Sequence, residues 1–382
     1  MNRFRIRGFR RLLDVDLNIR PLMVLIGANG IGKTSILDAI SLLSASAAGG
    51  LNKELNRLGG IGSLLTVDRA DEISMTVNMK DERNPGSPLE YQLDISSKAQ
   101  SYAIPFESLT SPRGRRKPFI HIESFYDNVT YYEIQENKLI TNRPNWSHNP
   151  LESSLSQVPK MYPEPEEFRR ILSSASKYHV LDVGERALVK LPQQMKPAEL
   201  PGEEGEDLVS FLYYLREANP DRFSTIIDTL KAAFKGFENL NFPPVAAGML
   251  AMTWKENSFS KPLYMHQLSE GTLRFLWLVS LLQSPGLSTI TMIDEPEVSL
   301  HPEMLSLLAD LMREASQRTQ LVVATHSDRL IRFLQPDEVV VMDETEDGCT
   351  SATWADTLDL NRWLEDYSLD EVWRLGRMGG RS

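Results

Sequence analysis

The chain has 382 residues, 41% hydrophobic and 24% charged, with a net charge of −11 and one cysteine, Cys349. That composition excludes a disordered, fibrous or disulfide-stapled protein, and the length allows one large domain or two to three smaller ones. The opening MNRFRIRGFRRLL lacks the long apolar stretch and cleavage site of a secretory leader, and no run approaches the ~18 apolar residues of a membrane span, so a cytoplasmic protein without membrane segments is expected.

FRIRGF and LDVDLNI (13–19) alternate with period two and predict strands. PLMVLIG (21–27) is a continuous apolar run of the kind that fills a strand buried on both faces. A Gly/Asn loop follows, and then a helical pattern over 33–47 with Ile36, Leu37, Ile40 and Leu43 on one side. A short helix is expected between the Gly pairs of 49–62. From about 72 to 135 the pattern is mostly β, broken by RNPGSP (83–88) and SPRGRRKP (111–118), which predicts an antiparallel sheet. Residues 141–165 read as an irregular excursion. Helices are predicted over 163–178, 207–220 and 221–237, with an acidic, Pro-rich loop at 191–206. From 266 strands alternate with helices, and each strand ends in polar residues. This argues for a parallel α/β sheet with its site at the strand carboxyl ends.

Four motifs carry chemistry. Gly27-Ala28-Asn29-Gly30-Ile31-Gly32-Lys33-Thr34 fits G-x-x-x-x-G-K-[ST] in a strand–loop–helix context, which predicts a phosphate loop. In such a loop Lys33 reaches the β/γ-phosphates and the Thr34 hydroxyl takes a position on Mg²⁺. Gly27, Asn29, Gly30, Gly32, Lys33, Thr34 and Ser35 are therefore the candidates for holding ATP. Ile290–Glu295 is an apolar run ending in two acids. We assign Asp294 to Mg²⁺ and Glu295 to the water-polarising base. His326 ends the next apolar strand, in Ala324-Thr325-His326-Ser327. It reads as a γ-phosphate contact, with a structural histidine as the alternative. Leu268-Ser269-Glu270-Gly271-Thr272 precedes a helix and, taken alone, is equally a simple N-cap.

Two basic clusters, one at Arg3, Arg5, Arg7, Arg10 and Arg11 and one at Arg113, Arg115, Arg116 and Lys117, are either solvated surface or a DNA-facing patch.

The order phosphate loop, LSEGT, IDEP, THS resembles the ABC ATPase superfamily, and more narrowly its RecF, SMC and OLD branch. The opening RIRGFRRLLDVDLNIRPLMVLIGANGIGKTSILDAI is similar to that of RecF-like heads. Ser299-Leu300-His301-Pro302, the helical piece near 207–240, and the tail with Asp370-Glu371-Val372-Trp373 and Gly379-Gly380 resemble small stand-alone ATPases of this branch. The resemblance implies an ABC ATPase head: a parallel sheet core with an antiparallel β lobe and a helical insertion. It implies that Ser269 and Gly271 contact the γ-phosphate of ATP held by another subunit, with Glu270 and Thr272 departing from the LSGGQ form. It leaves the Q-loop residue unassigned, since Gln92 lies on a predicted strand. The long coiled coil of SMC relatives and the TOPRIM nuclease of OLD proteins find no counterpart. The expected organisation is an N-terminal lobe at 1–140, a mainly helical lobe at 141–262 and a C-terminal lobe at 263–382. One phosphate loop and one signature per chain imply an ATP-dependent homodimer. Its expected work is a switch acting on DNA in anti-phage defence or repair with a separate effector. The alternative is a regulatory module that sequesters or releases a toxin or nuclease partner.

Overall fold

A computed structural model describes residues 1–80, 88–99, 101–112, 118–126, 128–133, 138–140 and 147–379. The basic run 113–117, most of the turn expected at 83–88, the start of the 141–165 excursion and Gly380 lie outside the described residues.

The N-terminal alternation forms a hairpin, β1 (Arg3–Phe9) and β2 (Leu12–Asn18), with Phe4 and Ile6 inward and Arg3, Arg5 and Arg7 outward. The apolar run becomes β3 (Leu22–Ile26), every residue of it buried. After the glycine loop come α1 (Lys33–Ala48), α2 (Leu51–Arg57) and α3 (Ile61–Leu64). Next are β4 (Glu72–Met79), β5 (Leu89–Lys98), β6 (Ser101–Ser111), β7 (Phe119–Phe125), β8 (Asn128–Glu133) and β9 (Lys138–Ile140). With the hairpin at one edge these make an eight-stranded sheet ordered β2-β1-β4-β5-β6-β7-β8-β9, antiparallel in every pairing. The chain then returns to this sheet at Ser154 and Leu155, whose N–H groups donate to buried Glu107 at 2.6 and 2.8 Å.

The helix expected over 163–178 ends early. α4 spans Pro163–Ser173, and residues 176–178 become strand β10 (Ser176–Tyr178). The break falls in Ser-Ser-Ala-Ser, where Ser174 turns its hydroxyl back on the Ile171 carbonyl at 2.8 Å. That bond competes with helix continuation, and the edge of a sheet offers the backbone an alternative. β11 (Gln193–Gln194) follows in the Pro-rich loop. α5 (Leu208–Ala218) and α6 (Pro220–Ala233) form as expected. Asn219 ends the first and caps the second by accepting from Arg222 N–H at 3.3 Å. The end of the third predicted helix is instead strand. β12 (Phe237–Asn241) joins β14 (Thr253–Glu256) and β15 (Leu263–Tyr264) in a small antiparallel sheet, and β13 (Met249–Leu250) pairs β11. Among the described residues of 141–262, short strands thus accompany the helices α4, α5 and α6.

The last third runs α7 (Glu270–Gln283), β16 (Ile290–Asp294), α8 (Met304–Ser316), β17 (Gln320–Ala324), α9 (Asp328–Ile331), β18 (Val339–Glu344), β19 (Thr350–Trp354), α10 (Asn361–Leu364) and α11 (Leu369–Arg374). The central sheet is ordered β10-β16-β17-β3-β18-β19, parallel except for its β19 edge. Successive residues of β3 feed different cores, as the two-residue period of a strand requires. Met23 and Leu25 pack with α1 and the eight-stranded sheet, whereas Val24 and Ile26 pack with the helices α5 to α8. β17 and β18, both from the C-terminal third, flank N-terminal β3, and this register brings distant motifs together at one rim. Among the described residues no helix is long and apolar enough to cross a membrane.

Candidate functional site

The glycine loop leaves the carboxyl end of β3 and enters α1 directly. Gly27, Gly30 and Gly32 have φ of 151°, 76° and 111°, a region that disfavours side chains. A Cβ at Gly27 would lie 2.4 Å from the Met342 carbonyl oxygen. Asn29 and Gly30 form the exposed crown of the loop, and Ser35 lies buried beneath it. Turned-in amides followed at once by a helix N-terminus make a concavity for anions. Lys33 is 8% exposed, and its ammonium donates to the Gly27 and Ala28 carbonyls at 2.7 and 2.9 Å. Burial pulls its pKa down, against the charges of Glu295, Asp294 and Glu297.

The Thr34 hydroxyl donates to Asp294 at 3.4 Å across 260 residues of sequence. Burial pushes the Asp294 carboxyl up, while Lys177 and Thr34 pull it back. A hydroxyl and a carboxylate facing each other are the sparse oxygen set that Mg²⁺ accepts when phosphates and water complete its shell. Among the described residues no cluster of three or more His, Cys, Asp or Glu forms a metal cage. The residues therefore fit Mg²⁺ carried with a nucleotide rather than a dedicated protein-only site.

Glu295 follows with a left-handed backbone, φ 52°, its N–H paired to the Ala324 carbonyl at 2.8 Å. Its carboxylate meets His326 Nδ1 at 3.0 Å. Lys33, Thr34, Asp294, Glu295 and His326 thus stand on the aligned carboxyl ends of β3, β16 and β17. Ser269 and Gly271 are engaged otherwise. The Ser269 hydroxyl is the N-cap of α7, accepting from Thr272 N–H at 3.2 Å, and it is exposed. A Cβ at Gly271 would lie 2.5 Å from the Ser299 carbonyl oxygen, so close packing within the chain by itself requires glycine there.

Three participants escaped the sequence reading. His179 follows β10, whose parallel register sets Tyr178 opposite Ile293, so His179 stands beside Asp294. It shares a cleft with Asp294, Glu295 and Arg274, and burial pulls its pKa down. Asp38, one turn beyond Thr34, is the second. Burial alone would raise its pKa, yet Lys177 and Arg10, each at 2.6 Å, hold it below the usual carboxylate range. An acid within an otherwise apolar helix stretch was the available signal, because a buried carboxylate demands a cation. Glu297, also buried, accepts from the Thr325 hydroxyl. β10 could not be read because its three residues carry no pattern.

Next to the loop, Arg10, Thr66, Val67, Arg69 and Cys349 line a cavity of about 400 Å³. Arg10 also approaches the Ser35 hydroxyl at 3.5 Å. The N-terminal arginines are largely neutralised. Arg3 pairs with Asp16, Arg5 with Asp14 at 2.6 Å, Arg10 with Asp38 and Arg11 with Glu344 at 3.6 Å.

Residues 22–332, from β3 through Asp294 and Glu295 and past His326, match the family described as "AAA domain, putative AbiEii toxin, Type IV TA system". The chain belongs to this AAA family. Its members are ATPase domains, and the fold of this one is that of an ABC-type head. The AAA chain resembles an SMC head solved bound to the C-winged helix domain of ScpA, with TM-score 0.53, 16% identity and coverage of 92% of this chain and 97% of that one. It also resembles an SMC head with an extended coiled coil bound to the C-terminal domain of ScpA, from Pyrococcus furiosus, with TM-score 0.51, 13% identity and 98% coverage of each. At such identity the likeness concerns the fold alone. No curated protein matches the AAA chain.

Proposed function

We propose that this AAA protein is an ATP-binding and hydrolysing switch that closes as a head-to-tail homodimer. The observation that carries the reading is the meeting of Thr34 with Asp294 across the sheet, with Lys33 and the Glu295–His326 pair on the same rim. In this reading Lys33 leaves its loop carbonyls for the β/γ-phosphates. Ser35 and Arg10 face the α-phosphate end, and the nucleoside takes the cavity lined by Thr66, Val67 and Arg69. Thr34 and Asp294 hold Mg²⁺, which when bound neutralises charge developing on the phosphates. Glu295 takes a proton from the water that attacks the γ-phosphorus, His326 orients that carboxylate, and the bond to the ADP oxygen breaks to leave ADP and phosphate. Ser269, exposed at the start of α7, is the group that a partner's γ-phosphate would meet. Contacts to that phosphate exist only before hydrolysis, so nucleotide state biases closure.

The target is the finer question. A DNA-acting switch in defence or repair with a separate effector is the first reading. Release or sequestration of a toxin or nuclease partner is the second. The acidic partners of Arg3, Arg5, Arg10 and Arg11 favour the second.

Phosphate release and ATP-dependent mass, measured for the native chain, Glu295→Gln and Ser269→Arg, test the proposal. Hydrolysis by the native chain, an ATP-trapped dimer with Glu295→Gln and a monomer that still binds ATP with Ser269→Arg are expected. A dimer that forms with ATP despite Ser269→Arg would remove the trans site. DNA binding by the trapped Glu295→Gln dimer, with steep salt dependence, would restore the DNA reading. Its absence at low salt ends that reading.

A further inference from the structure

Glu295 occupies a left-handed backbone, φ 52°, directly before Pro296. Both facts run against its preferences: L-residues with a Cβ avoid that region, and a following proline narrows the choice further. Such a conformation persists only where the surroundings over-determine it. Upstream, the Glu295 N–H is fixed on the Ala324 carbonyl at 2.8 Å. Downstream, the turn is closed by Val298 N–H on the Glu295 carbonyl at 3.3 Å and by Leu300 N–H on the Glu297 carbonyl at 3.0 Å.

A further tether is a side chain. Glu297 is 8% exposed, and its Oε1 accepts the Thr325 hydroxyl proton. Thr325 is fully buried and itself held from two sides. Its N–H donates to the Leu25 carbonyl at 3.0 Å, in the strand that feeds the phosphate loop. Its hydroxyl oxygen accepts from Ser327 N–H at 3.0 Å. One carboxyl thus joins the exits of β16 and β17 and, through Thr325, reaches β3, directly beneath the Glu295–His326 pair. Glu297 Oε2 has no hydrogen-bond partner among the described residues. An apolar side chain would fill the same space without leaving a buried acceptor unsatisfied, so a carboxyl here asks for a compensating role.

We propose that Glu297 is a positioning residue: by gripping Thr325 it holds Glu295 in its left-handed backbone and so aims the Glu295 carboxylate at His326 and the attacking water. This rests on the reading of Glu295 as the water-polarising base. The grip needs an acceptor oxygen, not a charge. Burial pushes the Glu297 carboxyl up, and Thr325, its own backbone N–H and His326 oppose that rise, so an amide is a fair replacement.

The test compares Glu297→Gln, Glu297→Ala and Thr325→Val in the full chain. Three readouts serve: steady-state ATP hydrolysis, affinity for a fluorescent ATP analogue, and amide exchange over residues 294–300. Glu297→Ala should lower kcat about 100-fold, the scale of a displaced general base. Its nucleotide Kd should stay within about 3-fold, and exchange at 295–300 should accelerate. Glu297→Gln should restore kcat to within about 5-fold of native, and adding Thr325→Val to Glu297→Ala should cost less than the sum of the two single losses, because they share the Glu297–Thr325 contact and only the Ser327 N–H contact is newly lost. Glu297→Gln as inactive as Glu297→Ala, or unchanged exchange in both Glu297→Ala and Thr325→Val, overturns the proposal. If Glu297→Ala does not fold, the Gln and Val variants decide it. If the native chain hydrolyses no ATP, the reading of function falls, while the exchange comparison still judges the tether.

Discussion

Two charged regions of this molecule obey opposite rules. On the outer face of the antiparallel sheet, Arg3 and Arg5 sit in solvent and each finds an aspartate on the neighbouring strand. At the carboxyl rim of the parallel sheet Lys33 and Glu297 are buried and poorly matched. Lys33 leans on two carbonyls, Glu297 keeps a bare oxygen, and Glu295 stands in a costly backbone. Solvent makes a surface charge cheap to hold and nearly worthless to pair. Burial makes an unmatched charge expensive, and its presence then marks where a ligand's charge is to be met. The contrast locates function better than net charge does: the −11 total says nothing about which of the two regions works.

The sharpest way to break that contrast is Glu295→Gln. If the rim is catalytic, turnover falls by roughly 10²–10⁴-fold in a phosphate-release assay while ATP still binds. Lys33→Ala should weaken nucleotide binding by about 100-fold or more, since charge-assisted contacts are worth ~1.5–3 kcal/mol each. Titration with a fluorescent ATP analogue reads it, and retained affinity would refute the phosphate loop.

Lys177→Ala probes the buried pair with Asp38, both side chains under 10% exposed. Removing one partner of such a pair should cost about 3 kcal/mol, read as a lower denaturant midpoint. The folded pKa of Asp38 lies below its unfolded value. Its contribution is therefore full above the ordinary carboxylate range and vanishes as pH falls through the folded pKa. The Lys177→Ala deficit should accordingly shrink in acid. His179→Ala should reduce kcat by roughly 10-fold, less than the ~10²–10⁴-fold of a group that itself moves the proton, with little change in the melting curve. Smallest of all, Arg3→Ala and Arg5→Ala should leave both the denaturation midpoint and ATP turnover unmoved. A drop in either would mean that the outer face is not mere solvated surface.

Much of the rim was legible before folding was considered. Lys33 and Thr34 close the glycine loop and open α1; Asp294, Glu295 and His326 each end a local pattern of strand then polar residue, and their chemistry restricts what can stand there. His179 and Glu297 were not legible. The first rides on a three-residue edge strand that has no periodicity, and the sequence around it predicted a longer helix. The second is one more glutamate near a strand end until its burial against Thr325 is known. The arginine row was legible as a row but not as neutral, because Asp16 and Asp14 face Arg3 and Arg5 through the β1–β2 register while Asp38 and Glu344 reach Arg10 and Arg11 from α1 and β18.

The sequence by itself determined the elements that depend on neighbours a few residues away: the glycine loop, the buried strands, the caps, and the ATPase character that those motifs share. Tertiary structure alone decided which ends meet. Strand order is set by how two cores pack on opposite faces of one sheet, and that long-range choice carries residues 260 apart to within 3.4 Å of each other.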